Sequence, residues 1–205
     1  MKTRKNRKTN IVKYVPKDFS HLLGKVKGID DKLMKIHFTL YEDLVGATNG
    51  ALEYIHNNNG KKNMVEFSSI QKNYSFFYNG MKLHEYYFGG MSGENMDDMD
   101  SDLLKDIEKY YGSFERWKSK FIDTGKIPGV GFVVFCRDKL NGNLMNIWIT
   151  DFDTGSLINT DILLVMDLWE HAYISEFGLN IESYMETYIK NVNWSVVSKL
   201  YKNAI

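Results

Sequence analysis

The stretch Ile162–Tyr173, with the sequence ILLVMDLWEHAY, is the most informative part of the chain, because ionisable groups directly follow an apolar run there. Residues 162–166 are typical of a fully buried β-strand, which ends at Asp167 before a segment of helical character. Asp167 and His171 lie four residues apart, and burying both without a partner would be costly. A metal ion is a suitable partner, because a carboxylate oxygen with an imidazole nitrogen favours manganese, iron or zinc. Two ligands are too few, so the sequence predicts others elsewhere in the chain.

Composition and charge exclude several classes of protein. The 205 residues suffice for one or two domains with a real core. Lys plus Arg and Asp plus Glu both number 26, so a net charge of zero gives no bias toward nucleic acid or other polyanions. No apolar segment approaches the roughly 20 residues that span a bilayer, and we expect neither a membrane segment nor a secretory signal. The single cysteine, Cys136, cannot form an intramolecular disulfide, so we expect a cytoplasmic protein.

The chain divides into a tail and two predicted domains. Five of the first eight residues are basic, and we expect residues 1–10 to form a disordered tail, with a nucleic-acid or surface contact as the alternative. Residues 11–92 are predicted to form a helical hairpin domain and residues 93–205 a mixed α/β domain. The boundary is placed at the glycine-rich and acidic segment that follows residue 88.

Two predicted helices each carry one histidine on an apolar face. Apolar residues recur at three- and four-residue steps from residue 30 to about residue 56, and His37 lies on their face. A second helix is predicted from near residue 66 or 69 to residue 88, with His84 on its apolar face. Helices joined by a glycine-containing turn pack antiparallel, so the two histidines can meet and raise the candidate ligands to four. A lone inward histidine is usually a hydrogen-bonded core residue, so the metal-site hypothesis depends on the whole set.

The remaining pattern predicts a small sheet flanked by helices. Helices are predicted over residues 103–111 and over residues 181–201. Another helix is predicted to begin after Ser113, which acts as its N-cap. Strands are predicted over residues 129–137, 144–150 and 162–167. The predicted fold class is therefore α+β, with an N-terminal antiparallel helical hairpin followed by a mixed α/β domain with a small three-stranded antiparallel sheet.

The most specific motif, DLWEHAY at residues 167–173, resembles the signature D-x-W-E-H-A-Y of the iron/manganese superoxide dismutase family. The resemblance covers nearly the whole chain after the tail. Further matches follow in family order, namely Ile36-His37, Asn79-Gly80, His84–Phe88, Gly112–Phe114 with Lys118 and Phe121, Gly129–Phe132, and Asn193-Trp194. The resemblance implies one iron or manganese ion per subunit, bound by a solvent molecule and by His37, His84, Asp167 and His171.

The resemblance also implies a reaction, the conversion of superoxide to dioxygen and hydrogen peroxide through redox cycling of the metal. Zinc is excluded from that role because it has no accessible redox change. By resemblance, Trp169 lies beside the ligands, and Glu170 reaches the partner subunit's His171 in a homodimer. Superoxide is an anion, so we expect a positively charged funnel to raise its encounter rate.

The sequence departs from the family at the glutamine that holds the bound solvent. Family members supply this glutamine from the second helix, four residues before the ligand, or from the loop after the second strand. Here the only glutamine is Gln71, at neither place, and Gly80 occupies the helix position. Alignment puts Asp153 near the loop position, where its negative charge would favour a trivalent metal, although a one-residue shift would substitute a neighbour.

The substrate gateway also departs from the family. Tyr41, Val45 and Ile174 stand where family members usually carry a histidine and two tyrosines, and Phe132 replaces a tryptophan. Two functions therefore stay open, an active superoxide dismutase and a metal-binding structural or interaction homodimer without useful turnover. The residues expected to act beside the ligands are Tyr41, Asp153, Trp169 and Glu170.

Overall fold

The computed structural model describes residues 11–58, 60, 63–92 and 99–204. The basic tail at residues 1–10 and the predicted domain boundary at residue 93 lie outside these residues, and the division into two domains stays a prediction. Among the described residues, no helix combines the length and the apolar composition that crossing a bilayer requires.

Two long helices form the predicted N-terminal hairpin. Helix α1 spans Asp31–Asn57, helix α2 spans Met64–Gly89, and the two pack against each other. Asp30 and Asn63 cap these helices, because each side chain accepts a hydrogen bond from a backbone amide in the first turn. The cap at Asn63 explains why α2 begins earlier than the apolar pattern alone predicted.

Two shorter helices and three antiparallel strands follow the hairpin. The helices are α3 (Ser101–Tyr111) and α4 (Phe114–Gly125). The strands are β1 (Gly131–Asp138), β2 (Leu144–Thr150) and β3 (Thr160–Asp167), in the sheet order β2-β1-β3. Strand β2 has the predicted bounds, whereas β1 begins two residues later and β3 two residues earlier than predicted. The predicted α+β fold class is confirmed.

The C-terminal region corrects the prediction of one helical segment over residues 181–201. It contains helices α5 (Ile174–Phe177), α6 (Ile181–Lys190) and α7 (Trp194–Asn203). The break between α6 and α7 arises because the side chain of Asn193 accepts a hydrogen bond from a backbone amide and caps α7.

Asn191, which lies at this break, anchors the segment that precedes α1. The buried Asn191 side chain accepts a hydrogen bond from the Lys27 amide at 2.8 Å and donates one to the Lys27 carbonyl oxygen at 2.8 Å. These two partly buried hydrogen bonds hold the N-terminal segment against the C-terminal helices.

The central strand β1 connects the sheet to the end of β3. Residues 131–136 are all buried, because β1 lies between two other strands and helices cover the sheet. Helix α4 packs against β1 and β2, whereas α2 and α7 pack against β3. The register places Phe132 of β1 opposite Asp167 of β3. The last residue of β3 therefore lies in the interior of the protein, next to the helical hairpin.

Candidate metal centre

The structure brings together the four candidate ligands that the sequence predicted. His37 comes from α1, His84 from α2, Asp167 from the end of β3, and His171 from the turn that follows. One potential ligand atom of each residue lies within 4.8 Å of those of the other three. The Oδ2 atom of Asp167 lies 3.1 Å from His37 Nε2, 3.4 Å from His84 Nε2 and 3.3 Å from His171 Nε2. Four residues from four separate elements thus converge on one point.

The cluster is buried except at one residue. The side chains of His37, His84 and Asp167 are at most 1% exposed, whereas that of His171 is 19% exposed. A small molecule that approaches from solvent would therefore meet His171 first.

Local hydrogen bonds orient Asp167. Its Oδ1 atom accepts a hydrogen bond from the Trp169 amide at 2.8 Å, which closes the turn between β3 and His171. Its backbone carbonyl oxygen accepts a hydrogen bond from the Tyr184 hydroxyl at 2.8 Å. With these contacts made, Oδ2 is the carboxylate oxygen that faces the three histidines.

His84 is oriented in the way that metal-binding histidines usually are. Its Nδ1–H donates a hydrogen bond to the Gly80 carbonyl oxygen at 2.7 Å, which leaves Nε2 as the ring nitrogen directed at the cluster. This Nε2 atom is buried and has no hydrogen-bond partner. An unpartnered buried nitrogen is costly, and a bound metal ion would satisfy it. The donor set of three imidazoles and one carboxylate fits iron or manganese.

Burial sets the protonation state of the cluster. Loss of hydration lowers the pKa of His84 to about 3 and also lowers the pKa of His37. Burial alone would raise the pKa of Asp167, but hydrogen bonds from His171 and His37 outweigh it and hold that pKa below its usual value. His37 and His84 are therefore neutral and Asp167 is ionised at neutral pH, and these are the forms that bind a metal ion.

We expect the metal-free protein to lose stability as the pH falls below about 6.5. In the unfolded chain His84 becomes protonated near its ordinary pKa of 6.5, whereas in the folded protein it stays neutral down to a pH of about 3. The unfolded state then binds more protons, so the free energy of unfolding falls by about 1.4 kcal/mol per pH unit for each such histidine. Urea unfolding with a chelator, at neutral and at mildly acidic pH, measures this slope. Equal stabilities at both pH values would contradict the expected protonation states.

Aromatic side chains line the cluster. Trp169 stacks on His171, with the ring centroids 5.9 Å apart. Phe152 stacks in turn on Trp169, with the ring centroids 4.9 Å apart. The indole N–H of Trp169 donates a hydrogen bond to the Asp151 carbonyl oxygen at 3.3 Å. Trp169 therefore lies beside His171 of the cluster, and its part in a metal site stays a prediction.

The Asp153 carboxylate has a hydrogen-bond partner apart from the four clustered residues. The Asp153 carboxylate accepts a hydrogen bond from the Ser75 hydroxyl at 3.0 Å, outside the cluster. Phe152 is buried instead, with its ring centroid 5.9 Å from that of His84. A Cβ atom on Gly80 would lie 3.2 Å from the Phe152 ring. Phe152 therefore fills the space beside His84 and Gly80, close to where the family resemblance places a glutamine. The sequence indicated this only through the one-residue uncertainty in the alignment of the loop, which allowed a neighbour to replace Asp153.

Tyr41 and Glu170 lie in different surroundings from each other. The buried Tyr41 hydroxyl accepts a hydrogen bond from the Lys17 amide at 3.0 Å and donates one to Glu85 at 3.4 Å. Neither Lys17 nor Glu85 is one of the four clustered residues. Glu170 is exposed, in the 3₁₀ turn Glu170–Ala172 that also carries His171.

A cavity of about 320 Å³ opens beside His171. Helices α1 and α2 and the loop after β2 supply its wall, which is formed by Leu40, Asp43, Leu44, Ala47, Phe76, Phe77, Phe152, Trp169 and His171. No lysine or arginine is among these described lining residues, and Asp43 carries a negative charge. The described lining of this cavity is therefore not positively charged, unlike the funnel that was expected.

The fold and the cluster define an α+β protein with a candidate centre for one metal ion. Residues 99–200 match the family model described as iron/manganese superoxide dismutases, C-terminal domain. The chain belongs to the iron/manganese superoxide dismutase family.

Curated relatives are similar over most of the chain. An iron superoxide dismutase of Pyrobaculum aerophilum is 25% identical over 181 residues, which cover 86% of this chain and 86% of the relative. A manganese/iron superoxide dismutase of Aeropyrum pernix is 28% identical over 188 residues, covering 86% and 85%. A manganese superoxide dismutase of Haloferax volcanii is 25% identical over 169 residues, covering 82% and 84%. The names of these relatives include both metals.

Proposed function

We propose that the protein is a superoxide dismutase, which converts two superoxide anions and two protons to one dioxygen and one hydrogen peroxide. The observation that carries the proposal is the convergence of four residues in one cluster in which His84 Nε2 has no partner. When bound, one iron or manganese ion per subunit would supply the alternation between divalent and trivalent states that the reaction needs. His37, His84, Asp167 and His171 would bind it.

The residues around the cluster support this proposal. The Gly80 carbonyl oxygen orients His84 and the Trp169 amide orients Asp167, so two ligand side chains are held before a metal arrives. Phe132 and Phe152 contact the His84 ring and exclude water from that side of the cluster. Rigid ligands in a shielded site are what a redox metal centre requires.

We also propose a homodimer in a reducing cytoplasm. Glu170 is exposed beside His171, where it could reach the partner subunit's His171. Cys136 is buried as a free thiol, which suits a reducing compartment. Light scattering of the purified protein tests the dimer. Tyr41 and Asp153 have other hydrogen-bond partners, so the proposal assigns them no direct part in the reaction.

The proposal predicts superoxide dismutation by the protein loaded with iron or with manganese. Metal analysis and the decay of superoxide in a stopped-flow instrument should be measured on the same samples. We expect His171→Gln to lower metal affinity by at least about 100-fold, because even the partners of ligands contribute about 10- to 100-fold. Dismutation should fall with it.

His56→Gln is the matched control, because His56 is an exposed histidine near the end of α1, outside the cluster. This variant should keep both its metal and its activity. Full metal occupancy without dismutation in either metal form would contradict the proposal and favour the metal-binding structural or interaction homodimer.

A further inference from the structure

We infer that the cavity beside His171 admits small uncharged molecules in preference to small anions, and hence protonated superoxide in preference to its anion. The inference rests on the proposed metal centre and names the form of the substrate that this centre would take.

The route to the cluster passes along apolar side chains. Of the four clustered residues, His171 is the one with appreciable exposure, and the cavity of about 320 Å³ ends on it. Leucine and phenylalanine side chains from α1 and α2 form the walls. A small uncharged molecule loses little hydration when it enters such a space, whereas an anion loses much more. Apolar cavities are known to hold uncharged guests such as xenon or benzene.

Apart from His171 itself, the described side chains of the lining offer an anion no free hydrogen-bond donor. The indole N–H of Trp169 donates to the Asp151 carbonyl oxygen. Phe152 occupies the place where an amide side chain would be expected from the family resemblance, and its ring offers no such donor. An anion that entered would therefore give up water contacts without replacement until it reached the cluster.

The charge of the lining acts in the same direction. Asp43 is exposed on α1 and is the only acidic residue among the described side chains of the cavity wall, which includes no lysine or arginine. Its carboxylate repels an approaching anion and leaves an uncharged molecule unaffected. Asp43 is therefore the residue through which the selectivity can be changed without touching the clustered side chains.

Ligand binding to the iron-loaded protein tests the inference without an activity assay. Azide binding to the ferric form is followed by absorbance, and nitric oxide binding to the ferrous form by electron paramagnetic resonance. We expect Asp43→Lys to strengthen azide binding by about tenfold, the low end of the effect of charge steering. Nitric oxide binding should stay unchanged in the same variant.

Glu42→Lys is the matched control. It makes the same change of charge one residue away, at an exposed position that does not line the cavity. Its effect on azide binding should be well below that of Asp43→Lys. Equal effects of the two variants, or wild-type protein that binds azide but not nitric oxide, would overturn the inference.

Failure of the proposed function would look different. A protein that binds ligands selectively but does not dismutate superoxide supports the inference and contradicts the proposed reaction. A protein that takes up no iron is tested instead with xenon and iodide in its crystals. Xenon beside His171 with no iodide there supports the inference, and iodide at that place overturns it.

Discussion

Replacing Asp167 with asparagine is expected to remove the metal from the protein. The Asp167 carboxylate is fully buried, and its Oδ2 atom lies within 3.4 Å of a nitrogen of each clustered histidine. Asparagine keeps the shape and can still accept the hydrogen bond from Trp169, but it brings no negative charge to the centre. We expect metal affinity to fall by more than about 100-fold, and superoxide dismutation to fall with it. Metal analysis after dialysis, with circular dichroism as a test of folding, measures the loss.

Asp161→Asn is the matched control for this prediction. Asp161 lies at the other end of the same strand, where it forms an ion pair with Lys139 at 2.8 Å. A partly exposed ion pair contributes about 1 kcal/mol or less to stability, so this variant should keep its metal. A folded Asp167→Asn protein that retains one metal ion per subunit would show that the carboxylate is not a ligand.

The second large effect concerns the start of β1. A Cβ atom on Gly131 would overlap the carbonyl oxygen of Ile149 in the neighbouring strand, and backbone cannot move aside as a flexible side chain can. We expect Gly131→Ala to lower the free energy of unfolding by about 3 kcal/mol or more. The Gly131 carbonyl oxygen also accepts the hydrogen bond of the Leu168 amide at 2.9 Å, so its displacement would shift the residue after Asp167. Denaturant unfolding and metal analysis measure the two consequences.

The control for Gly131 is a glycine in a helix. Gly50 lies in α1, and a Cβ atom placed there meets nothing within 4 Å. Gly50→Ala should therefore raise the free energy of unfolding by about 0.5–1 kcal/mol, because alanine favours helix more than glycine does. Destabilisation of similar size in both variants would contradict the assigned role of the Gly131 contact.

Local sequence patterns predicted most of the fold. The bounds of β2 and the cap at Ser113 followed from the alternation of residue types and from short-range hydrogen bonding. The break at Asn193 was missed, because the helical apolar pattern continues across it and the cap is a single hydrogen bond. Apolar periodicity indicates which face of a helix is buried, but it does not reveal where a single hydrogen bond interrupts the helix.

The candidate site was predicted in its centre and missed at its edge. The four clustered residues carry a strong signal as a set, because several buried ionisable side chains need a common partner, whereas one inward histidine alone does not. Phe152 carries no such signal, since a phenylalanine in a loop resembles any other core residue. Whether Phe152 or Asp153 faces the cluster depends on the register of one loop, and the packing of that loop against Gly80 decides it. The charge of the cavity wall likewise depends on side chains brought together only by folding.

The hydrogen bonds between Asn191 and Lys27 have a consequence for biosynthesis. They join positions 164 residues apart, and His37 and Asp167 are themselves separated by 130 positions. Contacts so distant along the chain close late, because a long loop must be ordered first. A growing polypeptide on the ribosome would therefore expose His37 and His84 well before Asp167 and His171 emerge. In the proposed function, a metal ion could be held by all four residues only after residues 167–171 have left the ribosome and packed against α1 and α2.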